Sequence, residues 1–169
     1  FRIVSFYTPD IFLVFMTLLF FLYVSQFIYC VYKNQTLTWM DWQFVFIRIY
    51  LAFDFIPHFT DKLFAGYPMY NKYVEIFQGL GMPYTNFFVY LAGVCEFTIA
   101  IALGFGILLR FTALSTTIYL LMTAFLGKHF LAGFMWNNPH GGWEFVVLWA
   151  MMIFSFVLSG SHYFSIDEY

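Results

Sequence analysis

The fold and the candidate site both depend on one stretch of the chain, residues 48–62, with the sequence RIYLAFDFIPHFTDK. Its apolar residues are typical of a membrane helix, yet it carries an unusual number of ionisable side chains. At about 100° per residue, Asp54, His58 and Asp61 fall within one narrow sector of such a helix. Lys62 lies just beside this sector, and Arg48 lies a little further round. The stretch therefore predicts an apolar helix with one polar face.

The composition of the whole chain is that of a membrane protein. Of its 169 residues, 63% are hydrophobic, 26% are aromatic and 9% are charged, whereas about 25% of the residues of a soluble domain are charged. The net charge of −2 offers no basic surface, which excludes nucleic acid as a partner. Cys30 and Cys95 both lie inside apolar runs, where neither a disulfide nor a cysteine-based metal motif is expected. We predict an integral membrane protein in contact with the lipid bilayer.

Five apolar segments are predicted to cross the membrane as α-helices, because each approaches the length of about 20 residues that spans the hydrocarbon layer. They cover residues 11–32, 41–64, 84–108, 110–134 and 144–158. Residues 70–77 are predicted to form a short helix at the membrane interface. The sequence thus predicts an all-α integral membrane protein in two parts, an N-terminal transmembrane helix and linker (1–40) and a membrane domain (41–169).

Small residues on the third predicted span indicate which side of it faces the interior. Gly93, Ala100 and Gly104 share one helix face with Glu96. Small residues at this spacing let helices approach closely in lipid, so we expect Glu96 to point into the bundle. On the second span, Pro57 removes a backbone donor and should kink the helix beside its polar face.

An ordered set of short features extends from the second predicted span to the end of the chain. The set consists of Lys62-Leu63, Gly81-Met82-Pro83, Glu96, a glycine turn ending in Leu109-Arg110, and Gly160 followed by Ser165-Ile166-Asp167. Over residues 41–167 the chain resembles the DoxX family of small bacterial membrane proteins. The resemblance implies a four-helix core in the inner membrane, to which the helix at 11–32 is an N-terminal addition. Some relatives, the DoxD proteins, are the larger subunit of a thiosulfate:quinone oxidoreductase, and others are membrane components of redox assemblies.

Ionisable groups at membrane depth are the first candidates for function, because each is costly if it is left unpaired. We predict Glu96, His58 and Asp54 as the catalytic residues, with Asp54 and His58 facing the interior as a proton relay. The other interpretation of Asp54 and His58 is a local hydrogen-bonded pair one helical turn apart. Arg48 and Lys62 are either counter-ions to Glu96 and Glu144 or side chains that reach out to the two membrane interfaces.

The link before the fifth span is the second candidate site. It has the sequence His140-Gly141-Gly142-Trp143-Glu144. One interpretation is a glycine-rich turn at the interface. In the other, the glycines let the backbone approach a small anion or a quinone headgroup while His140 and Glu144 exchange protons with it. The predicted residues for binding a quinone or another substrate are Arg48, Lys62, His129, His140 and Glu144.

No cofactor is expected to belong to this chain itself. The Glu-x-x-His motif of di-iron bundles is absent from the sequence, so no metal site is predicted. Haem would require His58 and His129 to face each other at one depth. The sequence has no glycine-rich nucleotide loop and no cysteine pair, so a flavin or an iron–sulfur cluster would have to belong to another subunit.

Two functions remain as hypotheses from the sequence. The first is a membrane subunit of a respiratory or redox complex that interacts with quinone and is assembled with other membrane or periplasmic subunits. The second is a non-catalytic subunit that anchors or assembles a larger membrane complex. A transporter is a weaker third, because the spans show no internal repeat.

Overall fold

The fold is all-helical, as the sequence predicts. The structure is a computed structural model that describes residues 38–138, 141–160 and 165–168, together with separate positions between 14 and 32. Five helices are complete in this part of the chain. They are α1 (Trp39–Leu63), α2 (Tyr67–Gly79), α3 (Thr85–Phe105), α4 (Leu109–Leu126) and α5 (Glu144–Ser159), and a 3-10 turn follows at Ile166–Glu168.

The N-terminal span predicted over 11–32 is described at separate positions, all of which are helical. Its other residues lie outside the described residues. The boundary that divides the chain into 1–40 and 41–169 therefore stays a prediction.

The helix ends follow local sequence signals. A capping box starts α1, in which the Thr38 hydroxyl accepts a hydrogen bond from the Asp41 amide and the Asp41 carboxylate accepts one from the Thr38 amide. A short helix is present as α2 where one was predicted at 70–77, and its position at the membrane interface stays a prediction. The fourth span predicted to reach residue 134 is too long, because α4 ends at Leu126. The chain turns there at Gly127 and Lys128, whose φ of 58° is left-handed.

One apolar core joins four of the helices. Its buried side chains come from α1, α3, α4 and α5, and none comes from α2. The core residues are Leu51, Ala52, Phe55, Leu103, Leu109, Ala113, Leu120, Trp149, Ala150, Ile153 and Phe156. At the level of this core, α1 packs mainly on α3, and α4 packs mainly on α5.

The outer surface is apolar as well. Within the described part of the chain, α3 and α4 are the two helices long and apolar enough to cross a membrane, and α5 is a shorter apolar helix. Large exposed hydrophobic side chains cover the outward faces of α3 and α4. They include Phe87, Tyr90, Leu91, Phe111, Ile118, Met122 and Phe125. A continuous apolar exterior of this kind suits contact with lipid.

Candidate functional site

A buried ion pair joins α1 to α3. The Lys62 ammonium lies 2.8 Å from Oε2 and 3.0 Å from Oε1 of Glu96, and the two side chains are 6% and 8% exposed. Lys62 also donates a hydrogen bond of 3.0 Å to the backbone carbonyl of His58. Of the two interpretations of Lys62, the structure therefore supports the counter-ion, and the expectation that this side chain reaches out to the interface is wrong.

Close helix packing places this ion pair. Gly93 lies one turn before Glu96 on α3, and a Cβ added to it would come within 2.8 Å of Leu63 and 3.1 Å of the Cβ of Lys62. The missing side chain thus lets α1 approach α3 where the charges meet, as the small-residue face predicts. Glu96 lies near the middle of α3 (Thr85–Phe105), about 15 Å from either end at 1.5 Å per residue.

A third side chain forms a hydrogen bond with the ion pair. The Tyr119 hydroxyl, on α4, donates a hydrogen bond of 2.8 Å to Oε1 of Glu96. The carboxylate therefore accepts hydrogen bonds from both an ammonium and a phenol. Removing two charges from water costs free energy. The attraction between the charges, together with further hydrogen bonds, offsets this cost. We call Lys62, Glu96 and Tyr119 the buried triad.

On its other side, Lys62 is covered by α2. The ammonium lies 4.7 Å from the centre of the Tyr73 ring, within the range of a cation–π interaction. The Tyr73 hydroxyl donates a hydrogen bond of 3.2 Å to Oδ2 of Asp61. Burial, together with the Asp61 carboxylate, raises the pKa of the Tyr73 phenol, so this group remains a neutral donor.

The structure corrects the predicted orientation of Asp54 and His58. His58 is exposed, with its ring centre 5.6 Å from that of Trp149, and Asp54 is half-buried. At 100° per residue, Lys62 lies within about 20° of Phe55, at the centre of the buried face of α1, whereas His58 and Asp54 lie about 60° and 100° away. The apolar residues decide which face is buried, so the prediction that Asp54 and His58 face the interior is wrong.

Arg48 lies far from the buried triad. It is fourteen residues before Lys62, about 21 Å along α1, and it is 2% exposed. A Cβ added to Gly106, in the turn between α3 and α4, would overlap the Arg48 guanidinium and the Ser165 hydroxyl. The structure therefore does not bring Arg48 to Glu96 as a counter-ion, and it places Arg48 with the C-terminal residues.

The C-terminal residues bind the same turn between α3 and α4. The Asp167 carboxylate accepts hydrogen bonds of 2.6 Å from the amides of both Leu108 and Leu109, at the start of α4. The Ser165 hydroxyl donates a hydrogen bond of 2.6 Å to the Gly106 carbonyl. Leu108, at the N-cap of α4, has no side chain that can accept from these amides, so Asp167 performs this function from the end of the chain.

The remaining predicted site residues lie near the loop before α5. Nδ1 of His129 lies 3.0 Å from the Gly141 carbonyl, and the Glu144 carboxylate accepts a hydrogen bond of 3.4 Å from the Trp136 amide. His140 lies outside the described residues. Over residues 38–138, 141–160 and 165–168, no group of three or more His, Cys, Asp or Glu side chains could hold a metal ion.

Two residues of the site were not among the predicted ones. Tyr119 belongs to a polar stripe on α4 with Thr116 and Thr123, and this stripe is the signal that could have identified it. Tyr73 has no comparable signal, since its partners Asp61 and Lys62 belong to another helix.

Comparison with known families identifies the family of the chain. The model of the DoxX family matches residues 44–129 of the 169, just over half of the chain, and this region contains the whole buried triad. No curated protein and no solved structure matches the chain. The all-helical fold and the apolar outer faces of α3 and α4 are those expected of a membrane protein. The chain therefore belongs to the DoxX family, a family of membrane proteins.

Proposed function

We propose that the chain is a membrane subunit of a respiratory or redox complex, and that it binds a quinone headgroup beside the buried triad. The observation that carries this proposal is the burial of the Lys62–Glu96 ion pair near the middle of an apolar helix. Apolar residues of similar size would pack there without the cost of removing two charges from water. Ionisable groups at such positions in membrane proteins are therefore candidates for function.

The chemistry of the triad suits a quinone. When a quinone is reduced, two electrons and two protons convert its carbonyl oxygens to hydroxyl groups. An ammonium such as that of Lys62 stabilises the negative charge that develops on a carbonyl oxygen. Glu96 can pass protons to that oxygen, and Tyr119 can donate a hydrogen bond to it. The electrons would come from a redox centre in a partner subunit of the membrane or the periplasm.

The proposal includes a topology. In it, α1, α3, α4 and α5 form a four-helix DoxX-like bundle that crosses the bacterial inner membrane, and residues 11–32 add a fifth span. The shared apolar core of these four helices supports the bundle. The antiparallel order of α1 and α3 supports the multi-pass arrangement, since Lys62 meets Glu96 while Arg48 lies beside Gly106.

Quinone binding tests the proposal directly. Decylubiquinone is titrated into the full chain in lipid nanodiscs, and the quenching of tryptophan fluorescence gives the Kd. Loss of the carboxylate in Glu96→Gln should raise the Kd by about tenfold or more. The matched control is Glu75→Gln, which removes an exposed carboxylate on α2 and should leave the Kd unchanged. An unchanged Kd in Glu96→Gln would overturn the proposal.

A second function, as a non-catalytic anchor or assembly subunit, is favoured by the large aromatic side chains on the outer surface. Trp39 is 88% exposed, and Phe111 and Phe125 are 69% and 74% exposed. Such surfaces suit protein neighbours in the membrane as well as lipid. In the anchor function, the N-terminal segment is the docking element. If deletion of residues 1–33 leaves the copurified partner subunits unchanged, this docking role is wrong.

A further inference from the structure

Helix α2 differs from the other helices in how it is held. None of its residues is buried, and it contributes nothing to the shared apolar core. Two hydrogen bonds from tyrosine side chains attach it to its neighbours. The Tyr70 hydroxyl donates to the Asn86 carbonyl of α3 at 2.8 Å, and the Tyr73 hydroxyl donates to Asp61 of α1 at 3.2 Å. An element with few buried contacts belongs to the part of a protein that opens at low free-energy cost.

The connections of α2 are short and contain glycine. Gly66, the N-cap of α2, has a φ of 80°, and Gly81, just after the helix, has a φ of 79°. Both values lie in the left-handed region that glycine adopts without strain. A Cβ added at Gly81 would meet no atom within 4 Å, so the space beside this residue is open. These two glycines flank α2, and the absence of a side chain lets their φ and ψ change at little steric cost.

Tyr73 is the contact between α2 and the buried triad. Its ring lies over the Lys62 ammonium at 4.7 Å, and Lys62 as a whole is only 7% exposed. On the opposite side, the same ammonium is bound to Glu96. Removing the Tyr73 ring would therefore uncover the ammonium without removing its counter-ion.

We infer that α2 is a cover over the buried ion pair, with Tyr73 as the residue that closes it, and that movement of α2 about Gly66 and Gly81 admits polar solutes to Lys62. The cover controls access to the ammonium whatever ligand the triad binds, so the inference does not rest on quinone chemistry. It assigns to Tyr73 a positioning function, because Tyr73 acts through Lys62.

Amine labelling measures this access. The full chain in nanodiscs is pulsed with sulfo-NHS-acetate, and the acetylation rates of Lys62 and Lys72 are followed by mass spectrometry of peptides. Lys72 is exposed on α2 and serves as the internal control. In the unmodified chain, Lys62 should react more slowly than Lys72 by about tenfold or more, because it reacts only when the cover opens.

Two variants test whether loosening α2 exposes Lys62 while the protein remains folded. Tyr73→Ala removes the ring and the hydrogen bond, and it should raise the Lys62 rate by about tenfold with no change at Lys72. Tyr70→Phe removes the other attachment without touching Lys62, and it should raise the Lys62 rate by a smaller factor. If Tyr73→Ala fails to fold, as judged by size-exclusion chromatography, Tyr70→Phe decides alone. An unchanged Lys62 rate in the folded variants, or equal rates for the two lysines in the unmodified chain, would overturn the inference.

Discussion

Two charged regions lie about 21 Å apart along α1, and they stabilise their charges in different ways. Near the end of α1, Lys62 and Glu96 neutralise each other, and Tyr119 and Tyr73 complete the surroundings. At the level of Arg48, the C-terminal residues pack on the turn between α3 and α4, where the Asp167 carboxylate accepts hydrogen bonds from the first backbone amides of α4. The first region joins side chains of different helices, and the second joins the end of the chain to a helix terminus.

This difference indicates which region can carry chemistry. At the buried triad, a proton can move between side chains while every helix keeps its backbone hydrogen bonds. At the C-terminal region, any loss of the Asp167 charge weakens the start of α4 itself. This difference supports the proposal that ligand chemistry belongs to the triad, while the C-terminal region has a structural function. Substitutions in the two regions should therefore differ in their effects on stability and on ligand binding.

Breaking the ion pair should cause the largest loss of stability. Glu96→Ala leaves the Lys62 ammonium buried without its counter-ion, and the free energy of unfolding should fall by about 3–5 kcal/mol. Unfolding in mixed micelles of increasing SDS fraction, followed by circular dichroism, measures this loss. Glu75→Ala, at an exposed site on α2, is the control and should change stability little. Equal stability of the two variants would show that the pair is not buried as described.

Filling the turn between α3 and α4 should have the next largest effect. In Gly106→Ala, the new Cβ would overlap Arg48 and Ser165, and the φ of 64° is unfavourable for alanine. The free energy of unfolding should fall by about 1–3 kcal/mol in the same SDS titration. Gly79→Ala is the matched control, since a Cβ at Gly79 would meet no atom within 4 Å. A loss no larger than that of the control would contradict the close packing at Gly106.

Removing the cap on α4 should have a smaller effect. Asp167→Ala leaves the amides of Leu108 and Leu109 without their acceptor, and the loss should be about 1 kcal/mol. In contrast to Glu96→Gln, this variant should bind decylubiquinone with an unchanged Kd, measured by tryptophan quenching. A Kd that rises as much as in Glu96→Gln would mean that the two regions do not have separate functions.

The smallest effect is expected at His58. Its side chain is exposed. Its backbone carbonyl, which alanine retains, accepts the hydrogen bond from Lys62. His58→Ala should therefore change the free energy of unfolding by no more than about 0.5 kcal/mol. Decylubiquinone binding should also remain within twofold or so of the unmodified chain. A large rise in the Kd would instead support the proton relay through His58 that the sequence alone suggests.

The sequence was sufficient to predict the helices and the close packing around Glu96. It was insufficient to identify the side chains that pair between helices. The spacing of Gly93 and Glu96 predicts the close approach of α3 to α1, because small residues at that spacing serve few other purposes in lipid. The polar sector of α1 was misleading, because the apolar residues decide which face is buried and Lys62 lies among them. Phe55, which lies within about 20° of Lys62 around the helix, was the signal that could have shown this.

Partners far apart in the chain could not be predicted. Tyr119 donates a hydrogen bond to Glu96, which is 23 residues earlier in the chain. Asp167 accepts one from the amide of Leu108, which is 59 residues earlier. Helical periodicity gives the direction of a side chain on its own helix, and it does not give the rotation and depth of the neighbouring helix. These quantities depend on the packing of the whole bundle.

We propose that the buried triad serves ligand binding and is not needed for folding. The double variant Lys62→Met, Glu96→Met tests it, because it replaces both charges with apolar side chains of similar size, a change that is often neutral or stabilising. In one preparation, the SDS titration gives stability and decylubiquinone quenching gives the Kd. We predict stability equal to or above that of the unmodified chain, with a Kd raised by about tenfold or more. Full stability with an unchanged Kd would contradict the claim.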